Sequence, residues 1–503
     1  MRLILILFCA AIARASGVTS GVPPHPTIST ASVDNNRTGW NHQEYKLNPS
    51  NVPNLTKLGV LTVDGYVYAQ PLYIPSVNTS GVQHDLVVIA TMNNSVYAFD
   101  ANSLSSTPVW NVNLGTARTS YAMSPADLYS QPVGILGTPV ADVSNGHVFV
   151  VSATTAPSYT LYELNLETGA TVNSVTITGS VTGTGDPEGS DCVSGGVLSF
   201  CPEYETQRAA LTLANGNVYI PFGAFGDNHP WHGWLFAYSA TTLSQVALFC
   251  TSPNGYGAAI WNSGGGLAVD GSGNLYGFTG NGTWDGTSDY GVSMLKFSST
   301  LSLLDWFTPS NYASLNNSDL DVSSGRPMLM PGEPVLFGSG KDSRLIMVST
   351  SNMGHLQGSG TAPLQIFTFG TELLYGGAFS GSMAYFQNSS NSAEPLLAFT
   401  WNGASFDQTP VTGSSYGFPG AQYSGSSGDF QNGVLWMTNA PGGNHEPSSP
   451  PNGTLYALNP LTLQVLYSDS SLGLLSKFAA PLVANGRVFV ATQSGYVAVY
   501  GLP

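Results

Sequence analysis

The chain of 503 residues carries 13 Lys+Arg and 29 Asp+Glu, so charged residues are 8% of it, against roughly 25% in an average soluble domain. With 58 Gly, 32 Pro and abundant Ser, Thr and Asn, its solubility rests on hydroxyls and amides, which excludes a charge-rich helical protein and fits a secreted all-β one. The formal net charge of −16 repels phosphate backbones and anionic lipid heads, and excludes nucleic acid as a partner class.

Residues 1–15, MRLILILFCAAIARA, join Arg2 to a short apolar run and end in Ala13-Arg14-Ala15, the pattern of a secretory signal with cleavage before Ser16. The mature chain then keeps 11 basic residues against 29 acidic ones, a net charge of about −18. No later segment offers the roughly 18 apolar residues of a membrane span. The expected location is secreted or periplasmic, with 16–39 an N-terminal extension and 40–503 a single domain. Cys9 leaves with the signal. Cys192 and Cys201 flank the loop DCVSGGVLSFC and are expected to pair in an oxidising compartment, two buried thiols being the alternative. Cys250, in the apolar run QVALFCT, reads as core. N-x-S/T sequons stand at Asn36, Asn54, Asn78, Asn93, Asn281, Asn316, Asn388 and Asn452, where glycosylation further requires a eukaryotic host.

From residue 84 onward a Gly-bearing turn followed by a β-branched or aromatic run recurs eight times, as in NGHVFVV from Asn145, NGNVYIPF from Asn215 and NGRVFVAT from Asn485. Each is followed by a second run, such as TLYELN from Thr160, WLFAYS from Trp234 or YVAVYG from Tyr496, so the pairs read as hairpins. A short strand upstream and a third run downstream complete four strands at a period of roughly 50 to 70 residues, a propeller blade. The eighth unit stops at Pro503 after its third strand. KLGVLTV, Lys57 to Val63, is expected to supply the missing outer strand, giving an all-β, eight-bladed propeller of four-stranded antiparallel blades with no open edge at its seam.

The blade endings TLYELNLETGATV and TLYALNPLTLQV are degenerate forms of A-x-D-x-x-T-G-x-x-x-W, and over about residues 40–503 the repeat resembles the propeller of pyrroloquinoline quinone (PQQ) dehydrogenases, the quinoprotein alcohol dehydrogenase-like family. The stretch from Ala258 to Pro327 also resembles that family's order: a Trp before a strand, then TGN, then D-x-D some forty residues later. The resemblance implies that Trp261 stacks on the flat quinone and that the Asn281 amide oxygen ligates calcium. It further implies that Asp319 and Asp321 supply the base that takes an alcohol proton. GSGKDSRLIMVSTSNMGH, from Gly338, is similar to a family segment whose Lys contacts the quinone, here Lys341. In GAFGDNHPWHGWLFAYS, from Gly223, Asp227 or Asn228 falls where the family places a Glu metal ligand, and His232 replaces its quinone-binding Arg.

Each of these residues has a plainer reading. Trp261 fits core packing between blades, Asn281 a turn or a glycan carrier, Asp319 and Asp321 Asx turns, and Lys341 a surface pair with Asp342. The chain also lacks the family's adjacent Cys-Cys pair and any C-x-x-C-H haem site, so electrons would leave to an external acceptor. The aromatic loop His229, Trp231, His232 and Trp234 suits a sugar, the pocket wall or a blade cap, and offers no third zinc ligand. GSSYG at Gly413 has no following helix and is no nucleophile elbow. Two functions are carried forward: a secreted PQQ- and calcium-dependent dehydrogenase of an alcohol or sugar, and a propeller that has lost its cofactor and binds polysaccharide or protein.

Overall fold

The computed structural model describes residues 25–119, 132–189, 192–225, 229–370, 376–388, 393–417, 422–426, 431–440 and 450–503. Almost every element is a strand, and the strands form a succession of antiparallel meanders with neighbours in chain order. Sheet A spans 72–113, B 140–176, C 212–250, D 268–308, E 328–368, F 378–416 and G 422–474. Sheet H joins Leu482–Ala484, Arg487–Ala491 and Tyr496–Gly501 to the distant strand Thr56–Thr62, which pairs antiparallel with Tyr496–Gly501. A small sheet of Ser180–Thr182, Val193–Ser194 and Val197–Ser199 carries the Cys192–Cys201 disulfide, and Cys250 is buried in the core. The architecture is that of a β-propeller.

Period-two patterning decides which neighbour each strand packs against. In HVFVV of sheet B, Val148 and Val150 join an apolar cluster with Val88 and Ala98 of sheet A, while Phe149 and Val151 join one with Ile220, Phe222 and Phe236 of sheet C. Both faces are therefore apolar, and a strand such as Val335–Ser339 is buried throughout. The fourth strand of a sheet has less to cover it, and Thr171–Thr176 of sheet B alternates between exposed and half-buried. Burying a Val, Phe or Leu contributes about 1.5–3 kcal/mol, and clusters of this kind lie between each sheet and the next. A further cluster joins Phe489, Val497 and Val499 of sheet H to Val87, Ile89 and Phe99 of sheet A, with Leu61 of the N-terminal strand inside it.

A segment without periodicity ties these sheets together. Between Ile28 and Asn41 the backbone bonds the first strand of one sheet after another: Ile28 to Tyr73 of A, Ser29 to Ala141 of B, Asn35 to Val269 of D and Asn36 to Leu329 of E, at 2.8–3.0 Å. Thr38 then reaches Phe379 of F at 2.8 Å and Gly39 reaches Gly425 of G at 2.7 Å. The Asn35 amide donates to the Leu213 carbonyl of sheet C, and the Asn41 amide to the Val483 carbonyl of sheet H. The fully buried Arg37 fixes the segment, donating to the carbonyls of Leu267 and Ala31 and to the hydroxyls of Thr30 and Thr212 at 2.7–2.9 Å.

Candidate functional site

The turns between the second and third strands of sheets C, D and E carry His232, Asn281 and Lys341, and the connections between sheets carry Trp261, Asp319 and Asp321. In sheet D, Leu275–Phe278 runs into Thr279-Gly280-Asn281. Gly280 is required here, because a Cβ on it would stand 2.5 Å from Asp321 Oδ1. That closeness lets the Asn281 backbone N–H donate to Asp321 Oδ1 at 2.7 Å. The Asn281 side-chain amide donates to Asp319 Oδ1 at 2.6 Å, so its own oxygen points elsewhere; that buried oxygen has no hydrogen-bond partner. Asp319 follows the helix Tyr312–Asn317 at φ 55°, a left-handed position that Asp tolerates. Asn316, at the end of that helix, accepts from Gly282 N–H at 2.6 Å and donates to the Tyr256 hydroxyl at 3.1 Å.

Lys341, from the corresponding turn of sheet E, completes the cluster. Its Nζ stands 2.9 Å from both Asp319 Oδ2 and Asp321 Oδ2, with the lysine and Asp321 side chains 12% and 7% exposed and Asp319 60% exposed. Burial alone would lower the lysine pKa, but the two carboxylates outweigh it and hold the ammonium above the ordinary lysine range. Asp342, the expected surface partner, pairs with Arg344 instead. The structure thus brings Asn281, Asp319, Asp321 and Lys341 into one hydrogen-bonded group.

Trp261 lies beside it. Gly280 N–H bonds the carbonyl of Ala259, two residues before Trp261, and the Trp261 Cβ would come within 3.1 Å of a Cβ on Gly223. The indole is half-buried, set edge-to-face against Phe478 at 5.9 Å, and the Arg208 guanidinium sits 3.9 Å from the Phe478 centroid and 5.5 Å from that of Trp261. Tyr68, Leu136, Thr138, Arg208, Gly264 and Phe478, from the approaches to five different sheets, line a gap too tight for a water molecule.

His232 is buried, with Nδ1 3.0 Å from the Ser252 carbonyl and its backbone N–H donating to Glu205 Oε1 at 2.8 Å. Asp227 and Asn228 lie outside the described residues. Glu205 was not anticipated from sequence. It pairs with Ala224 across the end of the long strand of sheet C, and its Oε2 is buried with no hydrogen-bond partner. Desolvation pushes its carboxyl well above the usual range, against a lowering bond from His232. Backbone bridges from His232 to Gly257 and from Gly257 to Gly282 set three segments side by side, with Glu205 bonded to the first through the His232 N–H and Asn281 on the third. Its one sequence signal is rarity: CPEYETQR places Glu205 and Arg208 together in a chain with few charges, ahead of an apolar strand.

The fit of a cation and of a quinone can be tested separately. Two buried oxygens without a donor, Glu205 Oε2 and Asn281 Oδ1, with the Asp321 carboxylate beside Asn281, are the hard ligands calcium takes. Among the described residues no three His, Cys, Asp or Glu side chains cluster by themselves, so an amide oxygen has to complete such a set. A flat tricyclic ring does not fit as the side chains stand. Phe478 and Arg208 flank Trp261, and the gap that these two line has no room for a water molecule, against the roughly 300 Å³ at which small-molecule pockets begin.

No family model matches the chain, and no curated protein does. Solved structures do. The quinohemoprotein alcohol dehydrogenase of Comamonas testosteroni aligns over 95% of this chain and 80% of its own at TM-score 0.64 and 14% identity. A europium-containing methanol dehydrogenase aligns over 95% and 98% at TM-score 0.58 and 13% identity. BamB from Moraxella catarrhalis aligns over 89% and 97% at TM-score 0.52 and 11% identity. At these identities the likeness establishes the fold, that of the quinoprotein-dehydrogenase propellers, and no activity.

Proposed function

We propose that the chain is an exported, eight-bladed propeller that keeps the cation half of a quinoprotein-type site without the quinone half, and acts as a calcium-dependent binding module for polysaccharide or protein. The eight-bladed ring is supported by the circuit of residues 28–41 past sheets A to H and by the apolar cluster shared by H and A. In this reading the strand Thr56–Thr62 closes the ring and the signal at 1–15 directs export.

The observation that carries the functional reading is the pairing of unfilled buried oxygens on Glu205 and Asn281 with a Trp261 face already occupied by Arg208 and Phe478. Glu205, Asn281 and Asp321 would hold the cation, which supplies positive charge and open coordination positions for a ligand's hydroxyl or carbonyl oxygens. The protein's own part is positional. Lys341 fixes both Asp carboxylates, Asn281 N–H orients Asp321, and the Asn281 amide donates to Asp319 so that its oxygen is left for the metal.

A second reading, a PQQ- and calcium-dependent dehydrogenase of an alcohol or sugar, is favoured by the convergence of Asn281, Asp319, Asp321 and Lys341, with Asp321 as the base. Thermal unfolding of the mature protein separates the two. Calcium at 100 times its dissociation constant should stabilise by about 2.7 kcal/mol, while PQQ added with calcium should give no further shift and no dye reduction with a panel of alcohols and sugars. A further shift with PQQ, accompanied by turnover, would replace the binding reading by the dehydrogenase.

A further inference from the structure

On the same face as the Asn281 cluster, but where sheets H and A meet, an open groove of about 390 Å³ falls within the range of small-ligand sites. It is lined on one side by Asp64 and Tyr66 from the connection into sheet A, with Met92 and Asn93 from that sheet's second turn, and on the other by Gln493 and Ser494 from the second turn of sheet H. Gln493 is 1% exposed, and neither its amide oxygen nor its amide nitrogen has a hydrogen-bond partner.

Its neighbours are satisfied. Asp64 accepts the hydroxyls of Thr91 and Ser95 at 2.8 and 2.6 Å, and Ser494 Oγ accepts the Leu474 N–H at 2.8 Å. A buried amide with both ends unmade is costly in the free protein and calls for a ligand that offers a donor and an acceptor side by side.

We propose that this groove binds a neutral carbohydrate, whose adjacent hydroxyls meet the Gln493 amide and whose ring lies against Tyr66. Asp64, at one wall, keeps acceptor capacity for a further hydroxyl and repels anions, and among the described residues no Lys or Arg lines the groove to attract a phosphate or carboxylate. An aromatic side chain beside an amide and a carboxylate offers a sugar both its apolar C–H face and its hydroxyls a partner. The proposal goes beyond the calcium-dependent binding reading above: it is a separate, calcium-independent site that uses none of the hub residues, so the two fail separately.

Full-length mature protein is titrated calorimetrically with cellotetraose, maltotetraose and mannotetraose, with oligogalacturonate as the anionic comparison and tetraglycine as the peptide comparison, in calcium and in chelator. At least one neutral tetrasaccharide should bind in both conditions. Gln493→Leu should lower that affinity at least about tenfold while raising the melting temperature of the free protein, because it removes an unsatisfied amide. Tyr66→Ala, on the groove wall, should weaken binding in the same direction. Failure of all three neutral sugars to bind, tighter binding of oligogalacturonate or tetraglycine, or unchanged affinity in Gln493→Leu would each overturn the proposal. Sugar binding that is lost in chelator would move the ligand to the hub and likewise overturn the proposal.

Discussion

Removing the Lys341 ammonium should expose an asymmetry between two carboxylates at the same distance. Nζ lies 2.9 Å from each, but Asp321 is 7% exposed and Asp319 60% exposed. A water-exposed pair contributes at most about 1 kcal/mol, whereas stripping the partner from a buried charge costs about 3–5 kcal/mol. Asp321 keeps one donor, the Asn281 N–H at 2.7 Å, which places Lys341→Met near the lower end, about 3 kcal/mol, and Asp319→Asn below about 1 kcal/mol. Urea unfolding followed by tryptophan fluorescence measures both. A double-mutant cycle of Lys341→Met with Asp321→Asn should give a coupling of about 2 kcal/mol or more, and one with Asp319→Asn well under 1. The lysine pKa is raised, so this contribution is complete below the ordinary lysine value of 10.5 and is lost only as alkali titrates the folded protein. A Lys341→Met loss under 1 kcal/mol, or equal couplings in the two cycles, would refute the assignment of the buried pair as the stabilising one.

The metal-free protein should lose stability as pH rises from the glutamate range, because Glu205 stays protonated in the fold after it has ionised in the unfolded chain. Glu205→Gln should flatten that slope above the ordinary glutamate value of 4.5 in chemical denaturation, and a slope identical to wild type would show that Glu205 ionises freely. Arg37→Met strands two carbonyls and two hydroxyls around a fully buried site and should cost at least about 3 kcal/mol; a loss below 1 would mean residues 28–41 do not bind the sheets together. Leu61→Ala, in the cluster joining H and A, should cost about 2–5 kcal/mol, while Leu304→Ala, 51% exposed, should stay within about 0.5. Equal effects would deny the N-terminal strand its part in the core.

The sheets were legible because each strand writes its two faces in alternate residues: Val148 and Val150 against one neighbour, Phe149 and Val151 against the other. The segment 28–41 was not, since it holds each sheet by single bonds to partners tens to hundreds of residues away and so carries no period of its own. The Asn281–Asp319–Asp321–Lys341 group was legible through the order of its motifs. Glu205 was missed because its place was sought in the loop after the long strand of sheet C, whereas it sits before that sheet and reaches the loop across a two-residue pairing with Gly223 and Ala224. Arg208 and Phe478 meet Trp261 from 53 residues before it and 217 residues after it, contacts that local sequence does not encode.

Terbium in place of calcium tests the hub directly, since the ion takes the same hard oxygen ligands and an adjacent indole such as Trp261 sensitises its emission. Excitation of the tryptophans should give green terbium emission that saturates at one equivalent, is displaced by calcium, and disappears in Glu205→Gln and Asn281→Ala while persisting in Gln493→Leu. Emission that never saturates, or that survives both hub substitutions, would place the cation elsewhere and contradict the account.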